Sequence, residues 1–386
     1  MTLPALSVDD LPMFFGPEHV ELAPRLRAAA AAIAASEQAP DEAARDRAAV
    51  DAMAAAGVLA QALPGAGGAL SARALVLCRE LLGYVSPRAD SIFAVQGLGT
   101  FAALQGGHAG ASALRAGLAS GQHVAAFALT EPDAGSDVAA IATRAVPDGP
   151  GFVLDGDKLF ISNLGLATHA TIVCSVDPAA GRRGQAAFWI PLDAPGVHIE
   201  PLTATAPHPI GALHLRGVRL PASALIGAVG DGFAIAMATL DAFRVSVGAA
   251  AVGMARRALD EAVAHVRSRH QFGKALAEQQ LVQAHLADMA VDLDAARLLV
   301  LRAAWQRDVV GGKVTLPVSI AKLGATEAAS RIIDRAVQLL GGRGVMLGHP
   351  VELLYRAIRP LRIYEGTSEI QRTIIGRAIA GAGASR

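Results

Sequence analysis

The sequence predicts an α+β fold in three parts: an N-terminal helical domain (1–122), a central antiparallel β domain (123–231) and a C-terminal helical bundle (232–386). Three observations predict it. Alanine- and leucine-rich stretches run from Glu18 to Gly121, broken at Pro64-Gly65 and Gly106-Gly107, a pattern of short helices. From Val124 to Gly230, short apolar or β-branched runs alternate with turn residues. From Phe233 onward, helical periodicity returns.

Within the β zone, Phe152-Val153-Leu154 and Lys158-Leu159-Phe160-Ile161 flank Asp155-Gly156. That spacing predicts a two-residue hairpin, because both turn positions want positive φ. Further strands are predicted at 170–174, 186–190, 197–202 and 213–215. In the C-terminal zone, Leu286, Met289, Leu293, Ala296, Val300 and Ala303 recur at +3/+4 steps. Asp288, Asp292 and Arg297 fall between them, which predicts an amphipathic bundle helix. Val314–Leu340 predicts another, ended by Gly341-Gly342.

The chain has 386 residues, 53% of them hydrophobic, enough for a large core and two or three domains. Thirty-four basic and 34 acidic residues cancel, which excludes a general attraction for nucleic acid or anionic membrane. Two distant cysteines, Cys78 and Cys174, argue against a disulfide framework or a zinc site and for a reduced compartment; no metal site is expected. The first ten residues lack the features of a secretory or organellar leader, which predicts a cytoplasmic protein. Mean hydropathy is +0.40, yet no uninterrupted apolar run reaches the ~20 residues of a membrane span. Val245–Ala255, the most apolar run, is flanked by Arg244 and Arg256-Arg257. Lysine occurs only at 158, 274, 313 and 322, against many arginines, which reads as codon bias.

Four stretches carry chemistry. Phe127–Asp137 is an apolar strand ending in Thr130, followed by a Pro- and Gly-containing turn. Such a turn presents backbone N–H groups to an anionic or electron-rich edge, and Thr130 and Ser136 add hydroxyls; a plain polar turn is the alternative. In Lys158–Asn163, strand alternation puts Phe160 and Ser162 on one face, able to cover and bond a flat ring. A core Phe beside a solvated Ser is the alternative there. Arg267–Lys274 closes a long helix; the helix dipole accounts for an arginine but not for the adjacent Phe272-Gly273. In Tyr364–Gln371, Ser368 and Gln371 have capping-box spacing, which places Glu365 in the loop before a helix and Gly366 where a ligand can approach. A solvated capping glutamate is the alternative.

In this order and spacing the four stretches resemble the acyl-CoA dehydrogenase family, from about Val124 to the C-terminus and more loosely through the N-terminal helices. Thr-Glu-Pro-x-Ala-Gly-Ser-Asp, Arg-x-x-Phe-Gly and Tyr-Glu-Gly-Thr are each moderate signals and together specific. The resemblance implies a C-terminal four-helix bundle, bound FAD, and dehydrogenation of an acyl-CoA thioester to the trans-2-enoyl-CoA. Glu365 would take the α-proton and flavin N5 the hydride. Phe127, Leu129, Thr130, Ser136, Phe160 and Ser162 would line the flavin. Arg269, Phe272, Gln280, Gln338, Leu339, Gly341 and Gly342 would meet FAD, largely across a subunit interface, with Thr367 and Glu369 completing that side. Ser136, Asp241, Arg244 and Gly366 would touch the acyl-CoA, although Arg244 could instead pair a bundle carboxylate.

The resemblance further implies a homo-oligomer, a tetramer or a dimer, and an electron-transferring flavoprotein or similar acceptor. Burial would raise the Glu365 pKa and the helix N-terminus would lower it. Phe243 stands where some relatives carry their base, Phe160 where tryptophan is common, and Ala357 where aspartate is usual. Gln96 is either a pocket determinant or a packing residue. Two variants keep the flavin: oxidation of a carrier-protein-bound acyl group, and enoyl-thioester reduction. A nicotinamide enzyme is disfavoured because Gly65–Leu70 ends on Leu70 where the last glycine of the fingerprint belongs. A non-catalytic helical binding protein is opposed by Glu365 and the flavin set.

Overall fold

The computed structural model describes residues 3, 5–65 and 69–381. Ala66, Gly67 and Gly68 of the glycine-rich stretch lie outside the described residues. Helices α1 (Ser7–Asp10), α2 (Pro17–Ala35), α3 (Glu42–Ala55), α4 (Ala72–Val85), α5 (Pro87–Gln105), α6 (Ala109–Ala113) and α7 (Arg115–Ala119) come first. Strands β1 (Ala125–Ala128), β2 (Arg144–Asp148), β3 (Gly151–Ser162), β4 (His169–Ser175), β5 (Gln185–Pro191), β6 (Val197–Pro201), β7 (Ile210–Leu220) and β8 (Leu225–Ile226) follow. Then come α8 (Gly232–Ser268), β9 (His270–Gln271), β10 (Lys274–Ala275), α9 (Gln280–Trp305), α10 (Thr315–Leu340), α11 (Pro350–Leu361) and α12 (Ser368–Ile379). The predicted order of helices, sheet and helices is the observed one. The chain forms two compact units: Met1–Ala30 with Ala72–Asp90 and Arg244–Arg386, and Ala31–Ser71 with Ser91–Phe243.

The second unit holds the sheet, in the order β6-β7-β3-β2-β4-β5-β8 with β1 beside β4. Most pairings are antiparallel, but β1 and β2 each pair parallel with β4, so the sheet is mixed. Its core gathers inward residues of several strands, among them Leu154, Ile172, Phe188, Leu213 and Leu215.

The predicted hairpin at Asp155-Gly156 is not there. β3 runs unbroken through it, and the hairpin to β2 closes one turn earlier, at Gly149-Pro150, between paired Asp148 and Gly151. Gly149 takes φ 58°, the positive value a two-residue turn with Gly first requires. Gly156 instead marks a bulge against β7, with φ 147°, and a Cβ there would lie 2.7 Å from the Thr143 Cα. Asp155 Oδ1 accepts from the Gly217 N–H at 2.7 Å, tying the bulge to β7.

One buried ion pair fastens the segment after β1 to this strand. The Lys158 Nζ, fully buried, donates to Glu131 Oε1 at 2.6 Å and to the Leu129 carbonyl at 3.1 Å. The Glu131 carboxylate also accepts from the Ala142 and Thr143 N–H groups. Burial works to raise the Glu131 pKa, but the Lys158 ammonium and these donors override it and hold the carboxyl below its ordinary value.

In the first unit, α9 packs on α10, and α10 on α11 and α12. Helices α4 and α8 approach closely where Gly83 faces the Ala250 carbonyl and Gly253 faces the Glu80 carbonyl. On α9, Met289, Leu293, Ala296, Val300 and Ala303 are buried as predicted. Arg297 is not on the solvent face: it is buried, donating to Ser7 Oγ at 2.7 Å and pairing with Asp10. α10 spans the predicted range and stops where Gly341 turns to φ 60°. α8 is long and apolar enough to cross a membrane, and 72% of its most apolar stretch is buried inside the protein. Cys78 and Cys174 are free and buried, and burial pushes both thiols up to about 12.

Gly156→Val should destabilise the protein by about 1–3 kcal/mol in urea denaturation, through forced φ and the Thr143 collision. Lys158→Met should cost about 3–5 kcal/mol by leaving Glu131 buried and unpaired. The Lys158→Met/Glu131→Met double variant should recover part of that loss, and failure to do so would deny the pair its stated role.

Candidate active site

β1 carries Phe127 and leads through Leu129 and Thr130 into a tight turn, where Glu131 and Ala134 exchange main-chain hydrogen bonds of 3.0 and 3.3 Å. The Glu131 anchor described above fixes this turn from beneath. The Leu159 N–H donates to the Thr130 carbonyl at 2.9 Å, so the two stretches at 127–137 and 158–163 are joined. Leu129 is buried, Phe127, Thr130 and Ser162 are half-buried, and Ser136 is exposed.

Phe160 is 63% exposed, which excludes the core-Phe alternative. The pairing of β3 with β7 slips between Lys158 and Ile161, and Phe160 takes φ 59°. A bulky residue at positive φ is a backbone outlier, so the strand is strained there while its ring points out.

In the first unit, Glu365 sits between α11 and α12 at φ 53°, followed by Gly366 at φ 92°. Three side chains hold the carbonyls of this loop. Arg244 Nε on α8 donates to the Glu365 oxygen at 3.1 Å. Lys322 Nζ on α10 donates to the Gly366 oxygen at 2.8 Å. Gln371 Nε2 on α12 reaches the Glu365 and Gly366 oxygens at 3.4 and 3.1 Å. Glu365 Oε2 is buried and has no hydrogen-bond partner among the described residues. Burial raises the carboxyl above its ordinary value, against the pull of Arg79, Arg244 and Lys322, while Asp90 adds to the rise. Burial therefore prevails, and the named opposing pull comes from three cations.

The helix cap differs from the predicted capping box. Thr367 is the N-cap, its hydroxyl accepting from the Ile370 N–H at 3.2 Å, while Ser368 donates to Glu327 Oε1 at 2.6 Å. Gln371 donates its amide N–H groups into the Glu365 loop. Beneath the loop, Arg79 and Asp90 form a buried two-bond pair, each bond 2.8 Å, and Arg79 also reaches Ser246 Oγ. Lys322, Gln371, Arg79 and Asp90 escape a motif-based reading. The scarcity of lysine is the signal that points to Lys322.

Apart from Asp241, which is in the second unit, the remaining predicted site residues lie elsewhere on the first unit. Arg269, just beyond α8, is exposed. Phe272-Gly273 makes the two-residue turn between β9 and β10, at φ 53° and 80°, with Phe272 94% exposed. Gln280 opens α9, exposed, and Glu369 is exposed in the first turn of α12. Gln338, Gly341 and Gly342 are exposed and Leu339 is half-buried at the far end of α10, about 24 Å along its axis from Lys322. They are not part of the Glu365 cluster. Asp241 is half-buried on α8. In the second unit, Gln96 is buried and bonded to the Leu118 and His123 carbonyls and the Ala125 N–H, a packing residue. Phe243 is fully buried, edge-on to Phe101 with centroids 5.8 Å apart.

Four non-glycine residues among those described take positive φ: Phe160, Asn163, Phe272 and Glu365. Asn163 is accounted for by its side chain, which donates to the Ala125 and Ile92 carbonyls. The other three are predicted site residues, two with exposed rings and one with an orphaned carboxylate oxygen. Internal packing does not explain them. The exposed Phe160 ring and open Gly135 of the second unit suit the flat part of a cofactor such as FAD, and the exposed Arg269 and open Gly341 and Gly342 of the first unit each suit an anionic part. No group of three or more His, Cys, Asp or Glu suited to a metal occurs among the described residues.

Comparison with known proteins agrees with this geometry. Residues 126–218 match the family model for the acyl-CoA dehydrogenase middle domain, and 230–380 that for the acyl-CoA dehydrogenase C-terminal domain. A Mycobacterium tuberculosis protein named "Probable acyl-CoA dehydrogenase FadE25" is 36% identical over 374 residues, 94% of this chain and 95% of that one. The acryloyl-CoA reductase (NADH) of Anaerotignum propionicum is 40% identical over 267 residues, 68% of each chain. The crystal structure of a glutaryl-CoA dehydrogenase from Mycobacterium smegmatis in complex with FADH2 superposes with a TM-score of 0.87 at 28% identity, covering 99% of both chains. With its fold and nearly its whole length matched, the chain belongs to the acyl-CoA dehydrogenase family of FAD-dependent oxidoreductases acting on acyl-CoA.

Proposed function

We propose that the protein converts a saturated acyl-CoA to its trans-2-enoyl-CoA, with Glu365 as the base that removes the α-proton. The observation that carries this is the orphaned, buried Glu365 Oε2 on a residue strained to positive φ, ringed by cations but bonded to none through that oxygen. A carboxylate so placed keeps a lone pair available for a proton of the ligand. Bound FAD supplies the hydride acceptor. Turning its carbonyls toward Arg244, Lys322 and Gln371 leaves the Glu365 N–H free to donate to a thioester oxygen, stabilising the charge that develops there. Gly366, and Ser136, Asp241 and Arg244 with it, fall to the acyl-CoA in this reading.

For FAD, Phe160 and Ser162 would cover and bond the ring system, with Phe127, Leu129, Thr130 and Ser136 beside it. Arg269, Phe272, Gln280, Gln338, Leu339, Gly341, Gly342, Thr367 and Glu369 would hold FAD across a subunit interface. The distance along α10 supports that assignment, because one chain does not gather Gln338–Gly342 around its own Glu365. The exposure of Phe272 supports a homo-oligomer, a tetramer in this reading, with domains at 1–122, 123–231 and 232–386. The electrons pass to an electron-transferring flavoprotein or a similar acceptor, and the enzyme works in the cytoplasm. A second reading, reduction of an enoyl thioester, draws support from the likeness to acryloyl-CoA reductase. Turnover of saturated against unsaturated thioesters separates the two.

Purified Glu365→Gln should retain bound FAD yet lose bleaching of the visible flavin band on anaerobic mixing with acyl-CoAs. Retained bleaching would remove Glu365 from the role. In the wild type, the ionised base is lost as pH falls through its raised pKa, so kcat should fall on the acid side with a midpoint above 4.5. A midpoint at or below that value contradicts the burial described.

A further inference from the structure

Lys322 is fully buried on α10, and its ammonium donates to a main-chain carbonyl next to the proposed base. An ammonium withdrawn from water is unfavourable unless its partners are fixed and well placed. The chain uses only four lysines, and a packing position on a bundle helix is served as well by leucine or methionine. Its position therefore needs a reason outside packing, and the partner supplies one. The Gly366 oxygen belongs to the turn that gives Glu365 its φ of 53°, and Arg244 and Gln371 hold the same turn from α8 and α12.

We propose that Lys322 is a positioning residue for Glu365: by holding the Gly366 carbonyl it locks the left-handed turn that aims the carboxylate, and its ammonium favours the carboxylate's charged form. This rests on the reading of Glu365 as base. The groups acting on Lys322 are Glu365 in the loop, Arg244 on α8, Glu327 on α10 and Glu369 on α12. Those acting on Glu365 are Arg79 on α4, Arg244, Lys322 and Asp90 on α5. Burial lowers the Lys322 pKa to about 8, with Glu365 the foremost opposing charge. The ammonium is thus present at neutral pH and fades as pH rises through that value. Lys322 is therefore a cation beside Glu365 whose charge is lost within reach of neutral pH.

The experiment compares Lys322→Met, Lys322→Gln and Lys322→Arg with wild type and Glu365→Gln, recording flavin content, thermal midpoint, kcat, KM and the acid limb of kcat. Lys322→Met should lower kcat about tenfold or more with little change in KM, since it removes a charge-assisted hydrogen bond. Its acid limb should move to higher pH, because Glu365 loses a cation that lowered its pKa. Lys322→Gln, which keeps a donor but no charge, should show the same limb shift with a smaller fall in kcat. Lys322→Arg should leave the limb at the wild-type position. An unmoved limb in both neutral variants, or failure of both to fold with flavin bound, reduces Lys322 to a structural tie and overturns the proposal. If Glu365→Gln still reduces flavin with substrate, the base assignment falls first. If Glu365→Gln is inactive and the limb stays put in the Lys322 variants, only the role of Lys322 falls.

Discussion

A carboxylate kept from water and left with a free oxygen is the constraint around which the first unit is built. Glu365 adopts a backbone conformation that costs of order 1–3 kcal/mol and carries a buried, unbonded oxygen. Neither survives without surroundings that over-determine it. Those surroundings come from several helices at once: Arg79 from α4, Arg244 from α8, Lys322 from α10 and Gln371 from α12. Three of them act on the loop main chain, so the carboxylate is aimed without its oxygens being used up. The bundle packing and the site geometry are therefore one problem.

The sheet solves a similar problem with the same element. Lys158 is buried under the turn after β1 as Lys322 is buried beside the turn before α12, and each donates to a main-chain carbonyl of its loop. The difference lies in the partner carboxylate. Glu131 is bonded on both oxygens and held below its ordinary pKa, a closed structural pair. Glu365 is pushed upward and left partly open. Two acidic residues, each near a buried lysine, are set on opposite sides of the usual carboxylate value by how completely their oxygens are satisfied.

Much of this was legible in the residues. Runs of apolar residues located β4 to β7, the glycine pair located the end of α10, and three of the four motifs contain the strained positions Phe160, Phe272 and Glu365. The failures share a cause. Asp148-Gly149 and Asp155-Gly156 carry the same local turn signal seven residues apart, and only the pairing of β3 along β7 decides which becomes the hairpin and which the bulge. Arg297 has the spacing of a solvent-facing residue but finds Ser7 and Asp10, nearly 300 positions away, a partner no local pattern encodes. The cap fell on Thr367 because the Ser368 hydroxyl is committed to Glu327, a partner 41 positions away on α10. The two buried lysines passed as codon bias because composition reports residue types, whereas burial depends on tertiary partners.

The two cysteines carry a practical consequence. Both are enclosed, and burial holds their protons so firmly that the nucleophilic thiolate is scarce near neutral pH. Toward maleimides or spin-label reagents the native molecule should behave as if it were thiol-free. One cysteine added at a solvent-facing site could then carry a fluorophore or nitroxide selectively, with no need to strip the natural residues from α4 and β4.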